Sequence, residues 1–248
     1  GPSARPAESA APPPAAGGTG TDAPRTRGAA GDQSPEWDVV PIFYGTDRKR
    51  ADDNKRIRYS AQRGKELDLG RALVTVPKTH QVPLIERPWV YKLPFTSIVV
   101  LREKEDPARH FTLKELRHLS PDQFIALVRE RLESSSRYEK QALIFVHGFN
   151  TTFDFALYRA AQIAYDLKYD GAPFVYSWPS RGEVSPVAYS YDRESAEQAE
   201  PYLRQFIELV TKRSGAKAVS LVAHSMGNKL LLPVLRDLKR SMPEGVRI

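Results

Sequence analysis

The chain reads as an α/β fold on a mainly parallel sheet, and three observations lead there. Ala142 to Val146 is a short, wholly apolar run, the look of a strand buried on both faces. Phe174 to Trp178 and Ala218 to Ala223 are two further strand-like runs. Between and after them lie stretches of helical periodicity, so strand and helix alternate.

The elements follow in order. One helix runs through Ala156, Ala160, Ile163, Ala164 and Leu167 and stops near Gly171. A second carries Leu203, Phe206, Ile207 and Val210, and a third carries Leu230, Leu231, Val234, Leu235 and Leu238. Their apolar stripes read as core packing. An earlier helix opens at Ser120-Pro121-Asp122-Gln123, with Ser120 as cap, Pro121 in the first turn and Gln123 closing a capping box. Phe124, Val128 and Leu132 continue it.

Residues 37–137 read as a β-rich amino-terminal portion, and residues 138–248 as the α/β core. Val39 to Tyr44 predicts a strand that Gly45-Thr46-Asp47 ends, and Arg71 to Val76 and Thr96 to Arg102 predict two more. Between Arg48 and Lys65 eight basic residues face only Asp52 and Asp53, which reads as a solvated loop. No aromatic platform accompanies that run, so no nucleic-acid partner is expected.

Residues 1–36 contain 9 Ala, 7 Pro and 6 Gly and no Val, Ile, Leu, Met or aromatic residue. A segment that buries no apolar surface cannot offset its ordering entropy, which predicts a disordered leader. Such a leader is compatible with an exported or membrane-tethered protein and does not exclude a cytoplasmic one. No run of about 18 apolar residues exists to span a membrane. The absence of cysteine excludes disulfides, a cysteine nucleophile and thiolate metal sites. No histidine–carboxylate cluster has metal-ligand spacing, and no phosphate loop sits between a strand and a helix. Neither a metal nor a cofactor is expected.

Ala223-His224-Ser225-Met226-Gly227 lies between a predicted strand and a predicted helix. A serine at a tight strand-to-helix turn is exposed, with its hydroxyl near the positive end of the helix. The turn brings two backbones close, so the residues two before and two after must be small, as Ala223 and Gly227 are. His147-Gly148-Phe149-Asn150 ends an earlier strand. Acyl transfer needs donors aimed at a developing oxyanion; the amide of Met226 is one candidate and that of Phe149 the other. Here His147, Gly148 and Asn150 would shape the oxyanion loop, and His224 and Gly227 the turn. Phe149 and Trp178 are candidates for the wall of an acyl pocket. Asp192 and Glu194, near a helix start, read as caps or dipole partners.

His147 to Thr152, Tyr176-Ser177-Trp178-Pro179-Ser180, Tyr191-Asp192-Arg193 and Ala223 to Asn228 together resemble the α/β-hydrolase superfamily. More narrowly they resemble a bacterial family of unknown function described as predicted esterases or lipases. Phe43 to Arg48, and Gly70-Arg71-Ala72 with Val76-Pro77, are similar to that family's amino-terminal portion, so the likeness spans roughly residues 39–248. It implies serine-dependent ester hydrolysis through an acyl-enzyme, with Ser225 as nucleophile and Phe149 and Met226 as oxyanion donors. It also implies a small-molecule or lipid ester as substrate.

Such chemistry needs a base and an orienting carboxylate, in the chain order Ser, Asp or Glu, His. Only 23 residues follow Ser225, and none is histidine. The sheet is therefore expected to be incomplete at its carboxyl end. The chain would be an inactive fragment of an active parent, with the acid and the histidine beyond Ile248. The alternative is a non-catalytic hydrolase-like binding module. Oligomeric state leaves no trace in the sequence.

Overall fold

The computed structural model describes residues 36–53 and 56–239. All of the Ala/Pro/Gly-rich leader except Glu36 lies outside these residues. The element order is β1 (Trp37–Arg50), β2 (Tyr59–Pro77), β3 (Val90–Lys92), β4 (Val99–Arg102), β5 (Thr112–Leu119), α1 (Pro121–Glu133), β6 (Gln141–Val146), α2 (Phe153–Asp166), β7 (Ala172–Ser177), α3 (Pro186–Arg213), β8 (Ala218–Ala223) and α4 (Gly227–Leu238).

Six strands form one sheet in the order β5-β2-β1-β7-β6-β8, and β3 and β4 form a separate hairpin. β1, β7, β6 and β8 run parallel, while β2 is antiparallel to both of its neighbours. Strands from the β-rich portion and from the α/β portion thus share one mixed, mostly parallel sheet. Among the described residues no helix is long and apolar enough to cross a membrane.

Helices cover both faces of the sheet. Successive strand residues point to opposite faces. In β1, Val40, Ile42 and Tyr44 join α2 residues such as Leu157 and Ala161. Phe43 points the other way and joins Phe124 of α1, Phe206 of α3 and Val234 of α4. Burial on both sides is why β6 and β7 read as unbroken apolar runs. At the start of α1 both halves of the expected capping box form: the Gln123 amide donates to Ser120 Oγ at 3.2 Å, and the Ser120 amide to Gln123 Oε1 at 3.0 Å.

Three expectations need correction. The first strand runs through Gly45 to Arg50. Gly45 marks a close approach of α3 instead of a strand end, because a Cβ there would lie 2.5 Å from the Phe206 ring. The basic run from Arg48 is a solvated loop only in its middle, between the two strands. β1 takes its start, β2 begins at Tyr59, and Arg48 itself is buried. Of the strand read over residues 96–102, only Val99–Arg102 is extended, and it belongs to the hairpin.

Candidate functional site

β6 and β8 lie side by side with Val146 opposite Ala223, and both leave the sheet at the same end. His224 continues the ladder by one bond, its amide donating to the Val146 carbonyl at 3.1 Å. The chain then reverses into α4. The Gly227 amide donates to the His224 carbonyl at 3.0 Å, and the Asn228 amide to the Ser225 carbonyl at 3.1 Å.

Ser225 pivots that turn in the left-handed region, at φ +53°. For a residue with a Cβ this conformation costs on the order of 1–2 kcal/mol. Two glycines make the crossing possible. A Cβ on Gly227 would lie 2.7 Å from the His147 carbonyl oxygen and 2.8 Å from that of Val146. A Cβ on Gly148 would lie 2.6 Å from the His224 carbonyl oxygen and 3.1 Å from Ser225 Cβ. The smallness expected at position 227 thus has a named cause, the end of β6. Gly148 abuts the serine across the gap between the two strands.

Ser225 and His224 are exposed, whereas Met226 and Gly227 are buried. Among the described residues no side chain caps α4, and its first three amides donate to the His224, Ser225 and Met226 carbonyls. Among the described residues, neither the Phe149 nor the Met226 amide donates to a protein acceptor. The Phe149 ring sits edge-on to Tyr189 of α3, with centroids 5.3 Å apart.

His147 is buried behind this surface. Its ring stacks on Trp178 at 4.9 Å, with Nδ1 2.9 Å from the Gly148 carbonyl and Nε2 3.1 Å from Ser177 Oγ. Trp178 Nε1 donates to the His147 carbonyl at 2.8 Å. Burial, reinforced by the nearby Arg48 charge, pushes the imidazole down to about 3, so it is neutral at physiological pH. Trp178 is fully buried under His147 and cannot line an acyl pocket; of that pair only Phe149 reaches the surface.

Two charged residues outside the candidate set hold the surrounding loops. From Arg48, Nη2 donates to the Thr151 carbonyl at 2.8 Å, Nη1 to the Ser180 carbonyl at 3.0 Å and Nε to Ser177 Oγ at 2.9 Å. Burial pushes the guanidinium down to about 10, and Asp47 and Asp192 oppose that shift. Asp192 is fully buried in the second turn of α3. It accepts from the Asn150 amide at 3.2 Å, the Arg181 amide at 2.9 Å and the Ser180 hydroxyl. Ser180 Oγ in turn accepts the Thr151 amide at 3.0 Å.

The reading of Asp192 as a cap or dipole partner is therefore corrected. α3 begins at Pro186 with Ser185 as its cap, so Asp192 lies inside the helix and its carboxylate serves two loops. Asn150 itself adopts φ +57°, which Asn tolerates better than most residues. The signal for Arg48 and Asp192 was present in the motifs Phe43 to Arg48, Tyr176 to Ser180 and Tyr191-Asp192-Arg193. Distant in the chain, these three segments meet around the loop that follows β6.

The remaining histidines are engaged elsewhere. His80 lies between Glu86 and Asp166, each 2.8 Å from a ring nitrogen, and His110 bonds Glu103 at 2.8 Å. His118 lies at the far edge of the sheet on β5, 4.0 Å from Asp68. Among the described residues no histidine ring is hydrogen-bonded to Ser225, and no cluster of three His, Asp or Glu side chains is placed to hold a metal ion. A cleft of about 370 Å³ is lined by Ala61, Gln62, Arg181, Glu183 and Tyr191 and by none of the candidate residues.

A family model described as alpha/beta hydrolase of unknown function (DUF900) matches residues 121–247, just over half of the chain. The match begins at α1 and includes β6, Ser225 and the loops that Asp192 holds. No curated protein and no solved structure matches the chain.

Proposed function

Because the chain belongs to the alpha/beta hydrolase family of unknown function, we propose that it carries the nucleophile and oxyanion site of a serine-dependent carboxylic ester hydrolase. Ser225 Oγ attacks the ester carbonyl carbon as its proton passes to a base. The carbonyl oxygen takes up the negative charge and accepts from the Phe149 and Met226 amides. Collapse expels the alcohol, which takes the proton back, and leaves an acyl-Ser225 ester. Water then releases the carboxylic acid by the same two half-steps. The base in this reading is an imidazole oriented by a carboxylate; among the described residues no histidine ring is hydrogen-bonded to Ser225.

The observation that carries the proposal is the left-handed Ser225 between β8 and α4, abutting Gly148 at the end of β6. A strained backbone at a residue of ordinary chemistry is held where the side chain's direction matters. His147, neutral and buried, supports the loop from behind instead of serving as base.

The test uses the protein as its source makes it. A fluorophosphonate probe should label Ser225 covalently, and Ser225→Ala should abolish both the labelling and the turnover of p-nitrophenyl esters. Unchanged turnover in Ser225→Ala would overturn the proposal. No labelling of the native protein would leave the hydrolase-like binding module in its place.

A further inference from the structure

Every residue from Trp89 to Arg102 is exposed. These residues form the β3–β4 hairpin, paired as Val90 with Arg102, Tyr91 with Leu101 and Lys92 with Val99. The solvent-facing side chains are those of a core. Trp89 is 55% exposed, Leu93 45%, Ile98 59% and Leu101 59%, and Phe95 at the tip is wholly free. A contiguous exposed apolar surface of this kind marks a docking site.

We propose that this hairpin docks on an anionic phospholipid surface, with the Leu93–Ile98 tip in the acyl boundary and Lys92 and Arg102 at the phosphates. Two observations select lipid over a protein partner. Val99, Val100 and Leu101 are consecutive and all exposed, so both faces of the hairpin are apolar. A protein partner covers one face, whereas a bilayer surrounds an inserted tip on every side. The second observation is charge. From Pro88 to Arg102 the only charged side chains are Lys92 and Arg102, both cationic, in a chain of net charge +7. The acidic residues at the hairpin's foot are already paired, Glu103 with Arg109 and His110, and Glu105 with Arg87.

The tip suits insertion. The Leu93 amide donates to the Ile98 carbonyl at 2.8 Å and the Thr96 amide to the Leu93 carbonyl at 3.1 Å, so the turn enters with internal hydrogen bonds made. Strands of three and four residues project the tip roughly 10 Å, the depth of interfacial insertion. Trp89, at the foot, is placed for the aromatic belt. The stem is tied to the body, where His80 joins Glu86 to Asp166 of α2 and Arg87 donates to the Phe111 carbonyl.

The hairpin leaves the sheet after Pro77, which pairs with Trp37 at the start of β1. Ser225 lies at the opposite end, beyond the carboxyl ends of the parallel strands. Docking therefore holds the protein at a surface without presenting Ser225 to it, and it stands whether or not Ser225 is a nucleophile.

The test is co-sedimentation of the chain with phosphatidylcholine vesicles, with and without phosphatidylglycerol. The wild type should partition onto the vesicles and prefer those containing phosphatidylglycerol. Leu93→Asp with Phe95→Asp should lower partitioning at least about tenfold. Lys92→Glu with Arg102→Glu should erase the preference for phosphatidylglycerol. All four positions are exposed, so the melting temperature should not move. A wild type that stays with the vesicle-free fraction overturns the proposal, as does an aspartate variant that binds undiminished. If the wild type is instead a dimer that the aspartate variant dissociates, a second copy covers the hairpin and the proposal fails.

Discussion

Arg48 and Asp192 hold the same two loops through complementary groups: the guanidinium takes the carbonyls of Thr151 and Ser180, and the carboxylate takes the amides of Asn150 and Arg181. Both side chains are buried, and the loop between β6 and α2 that carries Phe149 is gripped through its next two residues. A small displacement there would misdirect the Phe149 amide.

Removing either side chain leaves buried loop groups without their hydrogen-bond partner. Arg48→Met should lower unfolding stability by about 3 kcal/mol in urea denaturation. Arg48→Lys should recover little of that, because one ammonium cannot span the Ser177, Ser180 and Thr151 acceptors.

Asp192→Asn keeps the shape but puts an NH2 group opposite either the Arg181 amide, which Oδ1 accepts, or the Asn150 amide and Ser180 hydroxyl, which Oδ2 accepts. If Phe149 supplies an oxyanion donor, kcat for a p-nitrophenyl ester should fall about tenfold to a hundredfold with KM little changed. A mere loss of folded protein would instead lower the active fraction measured by fluorophosphonate titration and leave the turnover of each labelled site intact.

Ser225→Ala and Ser225→Gly should separate chemistry from strain. Both should lack turnover, but only glycine adopts φ +53° freely, so Ser225→Gly should be more stable than Ser225→Ala by about 1 kcal/mol. Equal melting temperatures for the two variants would contradict a strained turn.

Gly148→Ala and Gly227→Ala each drive a Cβ against backbone carbonyls, at 2.6 and 2.7 Å respectively. Backbone cannot rotate aside as a side chain can, so each substitution should cost about 1–3 kcal/mol. Thermal unfolding measures the loss. Gly215→Ala offers a contrast: its Cβ would meet nothing within 4 Å, so the cost there comes from its φ of +78° alone.

The buried imidazole of His147 makes a signed prediction. Its folded-state value, about 3, lies below the ordinary 6.5, so between those limits the unfolded chain binds the extra proton. The contribution of His147 to stability is therefore whole above pH 6.5 and is lost as the pH falls toward 3, by about 1.4 kcal/mol per unit. Asp47, raised by burial to about 6 from 3.8, acts oppositely: its contribution is whole below pH 3.8 and is lost as the pH rises through 6. Subtracting the pH–stability curve of His147→Gln from that of the wild type isolates the histidine, and the difference should shrink on acidification.

Much of this molecule is legible in one dimension because much of it is local. The capping box at Ser120 spans four residues, and the buried run Ala142 to Val146 names its own environment. The small residues flanking Ser225 announce a turn within five positions. Each is a pattern whose cause lies within one turn or strand.

The basic run from Arg48 shows where such reading stops. Its neighbours Lys49 and Arg50 are exposed, and nothing nearby distinguishes Arg48 from them. The acceptors that bury it lie 103, 129 and 132 residues away along the chain. Asp192 was likewise indistinguishable from a helix cap until α3 proved to start at Pro186. Gly45 read as a turn because the ring that needs its empty side, Phe206, is on a distant helix.

By itself, then, the sequence determined the α/β alternation, the apolar strands, the helix cap at Ser120 and the serine turn, since local sterics and hydrogen bonding decide those. Only the tertiary structure decided that the amino-terminal strands complete the same sheet and that Arg48 and Asp192 clamp the loop beside Ser225. It also decided that the apolar run from Trp89 faces outward. Burial is a property of what packs against a residue, and those partners are brought together by the fold, not by the order of the chain.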